Sequence, residues 1–240
     1  MEKVELKGGV RRLPSGVDCI DSLMSGGLEE GILTEIYGEG GSGKSNLSAI
    51  FSISAMKLGR KVIFLDTEGF STERLHQLLH GDISVLKMLM LYRIVSLDDQ
   101  ELSLMKCEKL IEKENVGLLV VDSFTEYFRL EKTGDNLSRV TGMQKQISLL
   151  SAIAVAHSIP VLLTNQIYSD LDRGTLQPFG GYVIDHSMKA IYQLSRLPSG
   201  SRRITVVKHR SISEGLTAEF RIVPDGVECI PSPHEAEVTR

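Results

Sequence analysis

The sequence predicts an α/β fold in which a mostly parallel central sheet carries helices on both faces and has an antiparallel edge at its C-terminal end. The apolar run at 118–121 is continuous, which is typical of a strand buried on both faces, and residues 161–164 are expected to form the next buried strand. Helical patterns alternate with these runs, as in β–α–β units. Beyond Gly180-Gly181 the chain is rich in strands without helices between them, and this pattern predicts the antiparallel edge.

The elements follow from local patterns along the chain. A turn at 13–18 leads into a short amphipathic helix that Gly26-Gly27 ends, and Gly59 suits the end of the next long helix. Ser71 or Thr72 can cap a third helix. Strands are expected at 32–37, 61–65, 88–95, 118–121, 161–164, 190–194, 204–209 and 218–223, with further helices from 98 to about 115 and from 137 to 157.

The turn after the strand at 32–37 matches the phosphate-loop (P-loop) pattern G-x-x-x-x-G-K-[ST] at every fixed position. Its residues are Gly38, Glu39, Gly40, Gly41, Ser42, Gly43, Lys44 and Ser45. Glycines let successive N–H groups face one anion, and a helix that begins at the lysine adds its dipole. The pattern predicts ATP and Mg²⁺ as cofactors, with Lys44 on the phosphates and Ser45 in the magnesium shell. Asn46 follows Ser45 directly and is included in the expected nucleotide site. The alternative to a P-loop is a glycine-rich turn before an ordinary helix.

Polar residues follow three of the predicted strands: Glu68, Asp122 and Gln166. Ligands of open α/β sheets bind beyond the carboxyl ends of the strands, and the P-loop leaves the same edge. We therefore expect four segments to converge on one site. Asp122 is the candidate magnesium ligand, and Glu68 is the candidate base that activates water, or else a helix-capping acid. Gln166 suits a γ-phosphate sensor or an ordinary polar strand end, and the residues alone leave both readings open.

Composition narrows the classes of function. The formal net charge is −4, so a broad basic surface for nucleic acid is not expected and DNA binding has to be local or assisted by assembly. No apolar run approaches the length of a membrane span, and the first residues lack the apolar core of a secretory signal, so we expect a cytoplasmic protein without a membrane partner. Cys19, Cys107 and Cys229 lie far apart without a C-x-x-C pair, which argues against a disulfide framework and a zinc ribbon.

The ordered motifs resemble those of the RecA superfamily, and most closely those of the archaeal RadB paralogues. They stand at 13–23, at the P-loop, and at 66–69 (Asp-Thr-Glu-Gly), 120–123 (Val-Val-Asp-Ser), 164–166 (Thr-Asn-Gln) and 208–210 (Lys-His-Arg). The resemblance implies a RecA-like P-loop NTPase domain over 13–230, between a short extension at 1–12 and a tail at 231–240. It implies catalytic roles for Lys44, for Glu68 as the catalytic glutamate and for Gln166 as the γ-phosphate sensor, with Asp122 as the magnesium acid.

The same resemblance implies contacts outside this set. Arg74 resembles the arginine that lies over the adenine, and Lys208 and Arg210 resemble basic residues that reach the nucleotide of a neighbouring subunit. We expect these two side chains on one face of a strand, where the alternative role is charge that protects a sheet edge. Segments 129–136 and 168–179 resemble the two DNA-facing loops, of which we expect the second to be mobile. The expected DNA contacts are Arg129, Lys132, Arg139 and Arg173, which are otherwise solvated surface charges.

These features predict an ATP-binding accessory protein of DNA repair and homologous recombination. It would bind single- or double-stranded DNA without sequence preference, hydrolyse ATP weakly and act with the main RadA-type recombinase or other repair proteins, with homo-oligomers possible. The lack of the helix-hairpin-helix domain of the full recombinases and of a subunit-joining phenylalanine in residues 1–12 is a departure from the family pattern, and the resemblance therefore does not extend to strand exchange or long filaments. One alternative is a KaiC-like signalling ATPase or autokinase, and another is an interaction module that binds nucleotide without turnover. The residues argue against the first, because KaiC-like sites have two adjacent glutamates, whereas Thr67 and Gly69 flank Glu68.

Overall fold

A central sheet of ten strands organises the part of the chain that the computed structural model describes, residues 9–130, 136–170 and 175–231. The strands are β1 (Arg12–Leu13), β2 (Leu28–Glu29), β3 (Leu33–Gly38), β4 (Lys61–Asp66), β5 (Leu89–Arg93), β6 (Val116–Asp122), β7 (Val161–Asp170), β8 (Thr175–Pro178), β9 (Ala190–Arg196), β10 (Arg202–His209), β11 (Thr217–Val223) and β12 (Gly226–Ile230). The helices are α1 (Asp18–Leu23), α2 (Lys44–Lys57), α3 (Thr72–Leu78), α4 (Leu97–Lys113), α5 (Glu126–Leu130), α6 (Asn136–His157) and α7 (Gly181–Ser187), with a 3₁₀ helix at Ile83–Met88.

The order of the strands confirms the predicted fold class. Across the sheet they run β12-β11-β10-β9-β3-β7-β6-β4-β5, with β8 paired to β7, while β1 and β2 form a separate pair. From β5 to β9 the neighbours in this order are parallel. From β9 to β12 they are antiparallel. The carboxyl ends of β3, β4, β6 and β7 therefore lie together at one edge of the sheet.

Side chains alternate between two hydrophobic cores, one on each face of the sheet. On β6, Leu118 and Val120 pack with residues of α1, α2 and α3, whereas Leu119 and Val121 pack with residues of α4, α6 and α7. Because every residue of β6 is buried, its sequence is a continuous apolar run. Within the three described segments, no helix combines the length and the apolar composition that crossing a bilayer requires.

Part of the segment expected to be a mobile second loop lies in two paired strands. Strand β7 continues past Gln166 to Asp170 and pairs antiparallel with β8, in the register Ile167 with Pro178 and Asp170 with Thr175. The expected mobility of the segment stays a prediction. Arg173 lies between the two strands, outside the described residues.

The cysteines depart from the sequence prediction. Cys19 of α1 and Cys229 of β12 form a disulfide bond between residues 210 apart in the chain, whereas Cys107 is a buried free thiol. The argument against disulfides is thus wrong for this pair. Helix α1 packs on the hairpin of β11 and β12, and this packing brings together two cysteines whose spacing gave no sign of pairing.

Candidate functional site

The P-loop joins β3 to α2, which begins at Lys44 as predicted. Gly43 has a left-handed backbone with φ of 110°, and a Cβ atom there would lie 2.8 Å from Cδ1 of Ile222. A Cβ atom on Gly38 would lie 2.1 Å from the carbonyl oxygen of Leu194. These two glycines therefore let the loop pass directly against β9 and β11.

Lys44 lies inside the loop. Its Nζ donates hydrogen bonds to the carbonyl oxygens of Gly38 and Glu39, both at 2.9 Å. Burial lowers the pKa of this ammonium, and the nearby carboxylates of Glu68 and Asp122 act in the opposite direction. An ammonium group forms stronger hydrogen bonds to a charged acceptor than to a neutral carbonyl oxygen, so a phosphate could replace these two partners.

Asp122 ends β6 beneath the P-loop and is buried. It accepts a hydrogen bond from Thr164 of β7, and the Ser45 hydroxyl also bonds to it. Burial raises the pKa of this carboxyl, whereas those two hydrogen bonds act in the opposite direction. A buried acid of this kind requires either a proton or a cation. The Asp122–Ser123 peptide bond is cis.

These residues fit a nucleotide with Mg²⁺. The carboxylate of Asp122 and the hydroxyl of Ser45 are oxygen ligands of the kind that Mg²⁺ binds, and they already lie next to each other. The buried Ser42 hydroxyl has no hydrogen-bond partner among the described residues. An anion in the loop would satisfy it. The arrangement can therefore hold a polyphosphate above the loop and a divalent cation beside it.

Glu68 and Gln166 meet at the same edge of the sheet, as the strand-end argument predicts. Gln166 Nε2 donates to Glu68 Oε1 at 2.7 Å. On its other side, Gln166 Oε1 accepts from Nη1 of Arg129 at 3.0 Å, and Arg129 Nη2 donates to Glu126 Oε2 at 2.8 Å. Four side chains thus form one continuous chain of hydrogen bonds that ends at the candidate base.

Asp66, which the sequence reasoning did not single out, supports the turn that carries Glu68. Its carboxylate accepts from the backbone N–H groups of Glu68, Gly69 and Phe70 at 3.2, 2.8 and 2.8 Å, and from the Arg93 guanidinium at 3.0 Å. Three N–H groups on one carboxylate hold the turn in a single conformation. The signal was available, because Asp66 is an acid that ends a buried strand.

Arg74 lies where α2, α3 and the C-terminal hairpin meet. Its Nε donates to Asn46 Oδ1 at 2.7 Å, and its guanidinium also donates to the carbonyl oxygens of Pro224 at 2.6 Å and Gly226 at 3.2 Å. Burial lowers its pKa. The structure thus joins Arg74 to Asn46, the residue after the P-loop. Arg202 is a neighbour of the loop that the sequence reasoning missed, with Nη2 3.3 Å from the carbonyl oxygen of Gly41.

Lys208 and Arg210 do not share one face of a regular strand. A register shift interrupts β10 between Val206 and Lys208, and Arg210 lies just after the strand ends. Lys208 donates to the carbonyl oxygen of Asp185, whereas Arg210 forms an ion pair with the buried Glu29. The predicted geometry is therefore wrong, because the strand ends at His209 and its alternation of side chains does not extend to Arg210, so the two side chains contact different elements.

Two of the four predicted DNA contacts, Arg129 and Arg139, lie in the described residues. Arg129 faces Gln166 in the cleft, and Arg139 lies half-buried on α6. Lys132, like Arg173, lies outside the described residues. A DNA surface formed by these four side chains stays a prediction.

Comparisons with known proteins agree with this fold and these motifs. The family model of Rad51 matches residues 7–230. The DNA repair and recombination protein RadB of Thermoplasma volcanium is 56% identical over 230 residues, covering 95% of this chain and 97% of that protein, and RadB of Thermoplasma acidophilum is 54% identical, covering 95% and 99%. A crystal structure of the RadB recombinase superposes with a TM-score of 0.78 at 32% identity, covering 91% of this chain and all of that one. The chain therefore belongs to the Rad51 family and, within it, to the RadB proteins of DNA repair and recombination.

Proposed function

We propose that this chain is an ATP-binding accessory protein of homologous recombination that hydrolyses ATP weakly and binds DNA without sequence preference. The convergence of Lys44, Asp122 and the Glu68–Gln166 pair at one edge of the sheet carries the proposal. Membership of the RadB proteins supports the role in recombination, with a RadA-type recombinase or another repair protein as the partner. Work on chromosomal DNA would place the protein in the cytoplasm.

Different residues of the chain would bind the phosphates and the metal ion. Lys44 would leave the carbonyl oxygens of Gly38 and Glu39 and bind the phosphates, which offer it a full negative charge. Ser45 and Asp122 would hold Mg²⁺, which when bound offsets the negative charge of the phosphates. The P-loop N–H groups and the start of α2 favour the same anion.

On this proposal, Glu68 is the group that activates water. Its exposed carboxylate lies beyond β4, where the Asp66 hydrogen bonds fix the turn. A positioned carboxylate contributes about 10²–10⁴ in rate when it accepts a proton from the attacking nucleophile. Gln166 keeps one Nε2 hydrogen for Glu68 and has a second that can donate to a phosphate.

DNA binding on this proposal is local, because the whole chain carries a net charge of −4. Lys132, Arg139, Arg173 and Arg129 remain the proposed contacts, and affinity should fall steeply as salt rises. Replacing the first three by alanine should weaken binding to all sequences alike, measured by fluorescence anisotropy with labelled single strands. Unchanged affinity at low salt would remove this surface from the proposal.

A matched pair of variants tests the ATP site. Lys44→Ala should weaken ATP binding at least about tenfold, because the phosphates lose their charged partner, whereas Glu68→Gln should bind normally and lose most of its hydrolysis. Calorimetry gives the affinity and phosphate release gives the rate. Lys57→Ala at the far end of α2 and the exposed Glu73→Gln are the matched controls and should behave as wild type.

Two outcomes would count against the proposal. Normal ATP affinity in Lys44→Ala would remove the P-loop from nucleotide binding, and equal turnover in Glu68→Gln and wild type would remove Glu68 from the mechanism. ATP binding without any turnover, in the presence or absence of DNA, would favour the interaction module. Capture of the RadA-type recombinase from native extract by wild type tests the partner directly.

A further inference from the structure

Arg129 lies between two polar side chains of the catalytic cleft. Its Nη1 donates to Gln166 Oε1 at 3.0 Å and its Nη2 donates to Glu126 Oε2 at 2.8 Å. A guanidinium has donors and no acceptor, so both neighbours must turn an oxygen toward it. Arg129 also lies near enough to the P-loop that its positive charge acts on Lys44.

The contact with Arg129 decides which way the Gln166 amide points. Because Oε1 faces Arg129, Nε2 faces the Glu68 carboxylate, to which it donates at 2.7 Å. The opposite orientation would set the NH₂ group against the guanidinium donors and the amide oxygen against the carboxylate. Both new contacts would be repulsive. The arginine therefore presents the donor end of Gln166 to Glu68.

Buried contacts hold the two elements that carry this pair. Thr125, next to α5, donates its hydroxyl to Asn165 Oδ1 at 2.6 Å, and Asn165 is the residue before Gln166. The Arg129 N–H donates to the carbonyl oxygen of Thr125 at 3.0 Å. Phe128 is fully buried beside Phe124. The guanidinium thus extends from a fixed backbone toward a fixed position on β7.

We propose that Arg129 is a positioning residue for ATP hydrolysis, which fixes the Gln166 amide so that it holds Glu68 and keeps a second N–H for the phosphates. This inference rests on the proposed function. It gives Arg129 a role inside the cleft that does not require DNA. Without the arginine, the amide is free to rotate and Glu68 loses its fixed partner.

Kinetics without DNA test this role. Arg129→Met should lower kcat by about tenfold to a hundredfold, as expected when a catalytic group loses its position, and leave ATP affinity within about twofold. Arg129→Lys keeps a donor and the charge and should recover part of the rate. In a Gln166→Ala background, Arg129→Met should have little further effect, because the arginine acts through that amide. Additive effects of the two substitutions would overturn the proposal.

A measurement that does not depend on turnover completes the test. In the ¹H–¹⁵N NMR spectrum, the pair of signals from the Gln166 side-chain amide is assigned by its absence from the spectrum of Gln166→Ala. Arg129→Met should shift or broaden that pair, with the remaining backbone signals and the melting temperature showing an intact fold. An unchanged pair would overturn the proposal whether or not the protein hydrolyses ATP.

The readouts also separate this inference from the proposed function. Absence of any hydrolysis that depends on Lys44 would remove the ATPase activity, and the NMR result would still decide the role of Arg129. Hydrolysis that depends on Lys44 and Glu68 but not on Arg129 would overturn only the present inference. Loss of DNA affinity in Arg129→Met with normal kcat and an unchanged amide pair would assign the arginine to DNA and would likewise overturn it.

Discussion

The two halves of the sheet hold their polar residues in different ways. In the parallel half, Asp66 and Asp122 end β4 and β6, and Gln166 on β7 pairs with the last residue of β3. Their side chains contact residues of the same edge. In the antiparallel half, the contacts reach elements far away in sequence, as when Cys229 bonds to Cys19 and Arg210 pairs with Glu29. The position of a polar residue along its strand thus predicts its neighbours in the parallel half. In the antiparallel half, the neighbours depend on how distant elements pack.

Breaking the Cys19–Cys229 disulfide should produce the largest effect and should act on the antiparallel half. The bond restrains residues 210 apart, and its loss lets the unfolded chain expand, which lowers the free energy of unfolding by up to about 5 kcal/mol. Guanidinium unfolding with and without a thiol reductant measures the loss. Hydrogen exchange should increase first in β11 and β12 and later in β4, β6 and β7.

The double variant Cys19→Ser/Cys229→Ser is the matched control, since its unfolding midpoint should not respond to the reductant. Thiol titration in denaturant should find only Cys107 before reduction and all three cysteines afterwards. An unchanged midpoint in wild type, or three reactive thiols before reduction, would contradict the bond.

Residues whose contacts depend on strand ends could be predicted from the sequence, and residues whose contacts depend on packing could not. Asp122 could be placed because it ends a run of buried residues, and Glu68 and Gln166 because parallel strands bring their carboxyl ends together. The orientation of Arg129 could not be predicted, because its position suggested a DNA loop and the helical turn of α5 directs it into the cleft. The pairing of Cys19 depends on packing between chain ends, which residue spacing does not encode.

Glu35 on β3 provides a test within the parallel half. Burial raises the pKa of this carboxyl from an ordinary 4.5 to about 7, and the charge of Asp185 adds to the effect, although Asn165 donates to Oε1 at 2.7 Å. The folded protein therefore holds a proton that the unfolded chain releases above about pH 4.5. The corresponding stability is present at low pH and is lost as pH rises through about 7.

Glu35→Gln should remove this dependence on pH. At pH 8 the variant should exceed wild type in free energy of unfolding by about 3 kcal/mol at most, which is the equivalent of the pKa shift, and the difference should shrink toward pH 5. Thermal or urea unfolding from pH 5 to 8 measures it, with the exposed Glu73→Gln as the control. A difference that stays constant with pH would show that Glu35 keeps its ordinary pKa.

The smallest losses of stability are expected at Arg210 and, smaller still, at Lys208, both in the antiparallel half. Arg210→Ala leaves the buried Glu29 with Arg12 at 3.4 Å and His209 at 3.8 Å, and should lower the free energy of unfolding by about 2 kcal/mol. Lys208→Ala removes a bond to a backbone carbonyl and should lower it by about 1 kcal/mol or less. Urea unfolding compares the two; equal losses would contradict the special role of Glu29.

Lys208→Ala is for this reason the better variant for the proposed subunit contact. Mixing it with Lys44→Ala should recover ATP hydrolysis if the lysine of one subunit serves the P-loop of the next in a homo-oligomer. No recovery, in a mixture shown by crosslinking to contain both variants in one assembly, would place Lys208 outside the shared site.

The disulfide also determines how the molecule responds to mechanical force. Residues 19–229 form a covalent ring that contains the P-loop, nearly all of both cores and nearly every strand. A pull on the two ends of the chain is transmitted through the Cys19–Cys229 bond, so the sheet between them is not extended. A translocating unfoldase that grips one end would have to pass two segments of the ring at once, and reduction of a single bond would return the P-loop to the path of the force.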